Sequence, residues 1–128
     1  MRHHDRTKKF GREKRQRVAL MRSLARSLIL SEAITTTTAK AKALRPFVER
    51  LVTKAKKGDL ATTRAALSDL GNARSAEKKL RELGARFKKR SGGYTRITRL
   101  GSIGKRVGEM ARIEFVSSDK EKAEKATE

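Results

Sequence analysis

The apolar pattern of this chain changes its period once, and the change falls at the pair Gly92-Gly93. Before that pair, apolar residues recur at three- and four-residue steps; after it they alternate. Neither an all-helical bundle nor a β-sandwich accommodates both halves. Helices must form one layer and a sheet the other, each burying its apolar face against its neighbour.

Val18, Met21, Leu24, Ala25, Leu28 and Ile29 mark the stripe of a first amphipathic helix. Five β-branched residues in a row, Ile34 to Thr38, favour an extended backbone and predict a short strand over Ala33–Thr38. Thr38 is placed to cap a second helix striped by Leu44, Phe47, Val48, Leu51, Val52 and Ala55. Pro46 falls inside that stripe and should kink the helix or delay its start.

Gly58 and Asp59 read as the stop of one helix and the cap of the next, which spans Leu60 to Leu70 and ends at Gly71. "NARSAEKKLREL" predicts a fourth helix, ended by Gly84, with Leu80 and Leu83 inward. Two strands follow, with Ile97 on one face of "YTRITRL" and Ala111, Ile113 and Phe115 on one face of "MARIEFV". "GSIGKRVGE" joins them as a hairpin loop. The expected fold is therefore α+β and two-layered, in the order helix, strand, three helices, two strands. A small three-stranded sheet packs against helices in a single domain over residues 18–116. Residues 1–17 read as a basic arm and residues 117–128 as a disordered charged tail.

Charge decides what such a domain is for. The chain of 128 residues has 34 Lys+Arg against 14 Asp+Glu, a net charge of +20, so its compact state repels itself. A polyanion that neutralises it would also stabilise it, which links folding to binding. No apolar run approaches the roughly 20 residues that span a bilayer. The N-terminal sequence lacks the apolar core of a secretory signal, so the expected location is cytoplasmic.

Catalysis is the weakest reading, and no enzyme is expected. The chain has no cysteine, hence no thiolate ligand or nucleophile. His3 and His4 are adjacent with no second ligand cluster, so no metal site is expected. The glutamates are spread singly beside cations, without an acid–base pair. "GSIGKR" has neither the spacing of a phosphate loop nor its following hydroxyl, and no cofactor is expected.

Nucleic acid is the partner the cations fit. In the arm they are Arg2, Arg6, Lys8, Lys9, Arg12, Lys14, Arg15 and Arg17, together with His3. Lys88, Lys89 and Arg90 form a second group, beside Gly92 and Gly93. Glycines there can take positive φ and bring bare backbone N–H groups close to a phosphate. Arg90 and Arg96 would flank that phosphate, while Tyr94 could either stack on an unpaired base or pack at the sheet edge. Lys105 and Arg106 occupy the hairpin tip, and Arg22 and Arg99 complete the candidate set. Charges on an arm, a turn and a loop tip suit an irregular RNA surface better than a duplex groove. The alternative is a nucleoid-type architectural DNA-binding protein, which would need an apolar wedge and a dimer interface.

The start "MRH", the run "RVALMRSLARSLILSEAITTTTAKAKALR", then "LGARFKKRSGGYTRI" and "MARIEFV" resemble the bacterial large-subunit ribosomal protein L17 family, over Met1 to about Val116. The chain departs from that family in "GKRVGEMA", which is shorter than the usual loop and lacks its Asp and Pro. The resemblance implies a two-layer domain bound to large-subunit ribosomal RNA near the outer end of the peptide exit tunnel, beside neighbouring ribosomal proteins. It implies no membrane and no small-molecule substrate. The residues that match are Arg2, His3, Arg22, Arg90, Gly92, Gly93, Tyr94, Arg96 and Ile97, the last with a core role.

Overall fold

A computed structural model describes residues 3–4, 8–105 and 108–117. Helix α1 spans Lys14–Ser31, strand β1 Ala33–Thr37, α2 Thr38–Lys57 and α3 Leu60–Asp69. A 3-10 turn at Arg74–Ala76 leads into α4, Glu77–Arg86, and strands β2, Thr95–Gly101, and β3, Met110–Phe115, close the chain. The fold is the expected α+β, in the expected order. The sheet is antiparallel in the order β1-β3-β2, so the last strand lies between the other two.

Register sorts the two faces of the sheet. Ile34, Ile113 and Ile97 stand in one row across the strands and face the helices. The adjacent row, Thr35, Arg112 and Thr98, is exposed. Helix α2 is the spine of the other layer, touching the other three α-helices and all three strands. Its Leu44, Val48, Leu51 and Val52 are fully or almost fully buried, as the stripe predicts.

Local signals explain most boundaries. Thr37, one residue before the expected Thr38, caps α2 by accepting the Lys40 N–H at 3.4 Å. Gly58 ends α2 at φ 70°, and the Asp59 carboxylate opens α3 by accepting the Thr62 N–H at 3.0 Å. Helix α2 runs through Pro46, which leaves the Lys42 carbonyl one turn earlier without that N–H. Helix α1 begins at Lys14, four residues before Val18, so Lys14, Arg15 and Arg17 are helical. Val18, expected in the first apolar stripe, and Leu60, which opens α3, are exposed.

Gly84 departs more sharply from the expectation. It does not end α4, which continues to Arg86. A Cβ on Gly84 would come within 2.9 Å of the Ala55 carbonyl carbon and oxygen, so this glycine is where α4 lies directly on α2.

Glu32 ties the layers together. It adopts the left-handed φ of 63° after α1, donates its N–H to the Leu28 carbonyl at 2.7 Å, and accepts the Phe115 N–H at 3.1 Å. Its carboxylate takes a two-pronged hydrogen bond from Arg86, at 2.7 and 3.2 Å, and an ion pair from Lys79 at 2.7 Å. Those two cations, Arg86 above all, hold the Glu32 carboxyl at about 2, well below an ordinary 4.5.

Two substitutions test this frame. Gly84→Ala gains helix propensity of about 1 kcal/mol but forces α2 and α4 apart at a cost of about 1–3 kcal/mol. Net destabilisation in urea titration is the expected result, against the propensity scale. Glu32→Gln removes a depressed carboxylate whose contribution is fully present above pH 4.5 and is lost as pH falls toward 2. Its side chain is 36% exposed, so solvent screening holds the loss at neutral pH to about 1–2 kcal/mol. The gap between the variant and the parent should close in denaturation curves taken between pH 4.5 and pH 2.

Candidate nucleic-acid interface

The cationic segment after α4 is pinned at both ends by aromatic rings. Phe87 continues the last turn of α4, its N–H bonded to the Leu83 carbonyl at 3.1 Å, and Tyr94 precedes β2. Their centroids lie 5.3 Å apart, with Phe115 a further 6.3 Å from Phe87. Both clamping rings are in the core, Phe87 at 2% and Tyr94 at 1% exposure. Contacts of this tilted kind add about 0.5–1.5 kcal/mol beyond area burial. With both ends fixed, Lys88, Lys89 and Arg90 between them are all exposed.

Backbone contacts then shape the loop. The Arg90 N–H donates to the Phe87 carbonyl at 2.9 Å, and the Arg90 side chain reaches the Gly92 carbonyl at 3.1 Å. Lys56, projecting from α2, donates to the Arg90 carbonyl and to the Tyr94 hydroxyl at 3.0 Å, with its ammonium 5.2 Å from the tyrosine ring centre. Of the two glycines only Gly93, at φ 62°, needs the left-handed region. Nothing lies within 4 Å of where a Cβ would sit on either, so the backbone there is open to an approaching anion.

The stacking role allowed for Tyr94 is corrected by its burial: a ring 1% exposed has no free face for a base. Its hydroxyl meets Thr53 at 3.3 Å as well as Lys56. Burial raises the phenol pKa, but the bonds from Lys56 and Thr53 more than offset this and leave it below its usual value.

Arg22 is also spent on the fold. It is half-buried, donates to the Asp69 carbonyl at 3.1 Å, and lays its side chain over Gly71. Arg96 shares Glu114 with Arg112, at 3.0 and 3.2 Å, on the outer face of the sheet. Arg99, on edge strand β2, is exposed, as is Lys105 in the hairpin loop. Leu100 and Ile103 are exposed in the same hairpin, an apolar feature that the alternating pattern does not single out. Arg2, Arg6 and Arg106 lie outside the described residues, as does the tail from 118 onward.

In the arm, His3, Lys8, Lys9 and Arg12 are exposed. Arg12 donates to the Phe10 carbonyl at 2.8 Å, and Arg17 to the Arg12 carbonyl at 3.0 Å. Lys14, Arg15 and Arg17 crowd the N-terminal end of α1, whose first turn holds no acid. Cations at the positive end of a helix dipole cost about 0.3–1 kcal/mol each. This is charge placed against folding, which an external anion would relieve.

Ion pairing completes the picture. The carboxylates of Glu32, Glu49, Asp69, Glu77, Glu82 and Glu114 all pair with Lys or Arg of the helices or the sheet. Among the described residues, none pairs with Lys8, Lys9, Lys88, Lys89, Arg99 or Lys105. Lys56 is the loop's anchor and stands outside the expected set, although its place four residues after buried Val52 is a sequence signal that it could reach the core edge. No helix of the described residues is long and apolar enough to cross a membrane.

Comparison with known proteins gives a consistent match. A family profile described as Ribosomal protein L17 matches residues 20–116. The chain is 57% identical over 119 residues to large ribosomal subunit protein bL17 of Hydrogenobaculum sp., covering 91% of this chain and 99% of that protein. It is 48% identical over 118 residues to the protein of the same name from Gemmatimonas aurantiaca, covering 92% and 100%. The Akkermansia muciniphila counterpart is 43% identical over 125 residues, covering 98% and 92%.

The clamp makes a direct prediction. Tyr94→Phe keeps the ring and loses the hydroxyl bonds, at an expected cost of about 1 kcal/mol in chemical denaturation. Tyr94→Ala opens the core and should cost about 3–5 kcal/mol, the range for deleting a large buried aromatic. Equal and small losses for both would place the ring outside the core.

Proposed function

The chain belongs to the ribosomal protein L17 family, and from that premise we propose that it holds folded ribosomal RNA within the large subunit. It is a structural component of the ribosome, not an enzyme, and works in the cytoplasm as part of the large subunit. RNA is engaged by the arm, by the loop from Lys88 to Gly93, and by the β2–β3 hairpin. Arg2, His3, Arg6, Lys8, Lys9, Arg12, Lys14, Arg15 and Arg17 serve in the arm. Lys88, Lys89, Arg90, Gly92 and Gly93 serve in the loop, and Arg96, Arg99, Lys105 and Arg106 along the hairpin.

The observation that carries this reading is the segregation of charge. Six carboxylates of the helices and the sheet are matched within the frame, while the described cations of the arm, the loop and the hairpin tip have no carboxylate partner among the described residues. Each such cation that meets a phosphate releases a condensed counterion, which makes binding favourable and salt-dependent. Three separate cationic segments suit the uneven surface of folded RNA, where a duplex reader would gather its charge on one groove-sized element. The family likeness also supports a position near the outer end of the peptide exit tunnel, beside neighbouring large-subunit proteins.

Two measurements test this. A tagged copy should co-sediment with the large subunit through a high-salt wash; recovery in the soluble top fractions would overturn the assignment. Replacing Lys88 and Lys89 by Gln should lower the slope of log affinity against log salt for large-subunit RNA by about 1.4–1.8, with helix content by circular dichroism unchanged. An unchanged slope would remove the loop from the RNA surface.

A further inference from the structure

A second surface feature remains unused by the fold. An open groove of about 1010 Å³ runs between the arm, the start of α1 and the exposed side of α2. Its floor is apolar, formed by Phe10, Val18, Met21, Ala43, Pro46 and Phe47. Its rim carries Lys8, Arg17, Lys42 and Arg50, and no carboxylate lines it. Lys42, Pro46 and Arg50 follow one another at four-residue steps, so they share one face of α2.

The aromatic residues divide between two jobs. Phe87, Tyr94 and Phe115 cluster in the core, whereas Phe10 and Phe47, half-buried, line the groove. Phe10 is held there in an unfavourable conformation. Both it and Gly11 lie in the left-handed region, at φ 53° and 63°, which a phenylalanine rarely adopts. The turn is fastened by the Arg12 N–H on the Lys9 carbonyl at 3.0 Å and by the Arg12 and Arg17 side chains on the Phe10 and Arg12 carbonyls. Backbone strain retained by three separate hydrogen bonds, with an aromatic ring as its product, points to a ring placed for use.

We propose that this groove seats an unstacked RNA nucleotide, its base against Phe10 and Phe47 and its flanking phosphates on Lys8, Arg17, Lys42 and Arg50. The proposal rests on the RNA-binding reading above and assigns it a base-contacting site. The faces of a base are apolar and stack on aromatic rings, and they are free only where the RNA is single-stranded or the base is extruded. The polar edges of the base can remain in solvent, because the groove is open. A peptide would bring backbone amides that need partners, and the one neutral polar side chain in the lining, Thr38, already donates its hydroxyl to the Glu109 carbonyl at 3.2 Å. Four cations without a carboxylate match the two phosphates that flank any nucleotide.

The test uses the full-length protein with two RNA probes of equal phosphate count, a short oligoadenylate and its abasic counterpart, read by fluorescence anisotropy. The base-bearing probe should bind about five-fold or more tightly. Phe10→Ala, which lies outside the core cluster, should bring the two affinities within about two-fold of each other. Lys42→Gln with Arg50→Gln should weaken both probes and lower the salt slope. Equal binding of the two probes by the parent protein overturns the proposal, as does a base preference that survives Phe10→Ala. If Phe10→Ala instead releases a neighbouring ribosomal protein from the subunit and leaves base preference intact, the groove is a protein seat and the proposal fails. Co-sedimentation through the high-salt wash reads the parent function separately: a chain that stays on washed subunits but shows no base preference loses the groove alone.

Discussion

The Phe87–Tyr94 contact is the hinge between what this chain buries and what it presents. The two rings close on each other across six residues and draw both ends of the basic loop into the core. Entropy would otherwise spread such a segment over many conformations, at roughly 1–2 kcal/mol per residue to order. Here the cost is met within the fold by aromatic burial, by Gly93 and by the reach of Lys56 from α2. The backbone that carries the loop's cations is therefore held in place by the fold itself, and in the RNA-binding function proposed above less binding energy would be spent on arranging it.

The same logic extends over the surface. A net charge of +20 strains a small domain, and the fold contains that strain by pairing its carboxylates locally. Glu32 with Arg86 and Lys79 secures the junction of α1, α4 and β3, and Glu114 quiets two arginines on the outer face of the sheet. Among the described residues, the cations left without a carboxylate include those of the arm, the loop, the strand edge and the hairpin. In the function proposed above, stability and RNA binding draw on different cations: Arg22 and Arg86 are engaged within the fold, while Lys88 and Lys89 are exposed.

Much of this architecture is legible in the sequence, because it is written in local signals. The change of period at Gly92-Gly93 separates helical layer from hairpin, and Gly58-Asp59 marks a helix boundary by chemistry that needs no partner. Most of the failures are matters of distant partners. Gly84 looks like a stop signal until Ala55 of α2 is seen against it. Lys14, Arg15 and Arg17 hide the first turn of α1, since an apolar stripe cannot register a turn that buries nothing. Tyr94 invites a base-stacking role because its mate, Phe87, sits seven residues earlier on the far side of a turn. Arg22 matches the family pattern, yet its guanidinium is engaged by a carbonyl 47 residues away. The basic loop could be named from sequence; the clamp that presents it could not.

Lysine acetylation footprinting of the intact large subunit, against the free protein, tests the central claim most directly. Lys88 and Lys89 are exposed in the folded chain and should react readily when it is free. A clamped loop seated on RNA requires both to become protected in the subunit, while Lys78, exposed on α4 outside the three basic segments, keeps its reactivity. Equal reactivity of Lys88 and Lys89 in the two states would mean that the clamped loop faces solvent on the ribosome, and that the fold presents its charge to something other than RNA.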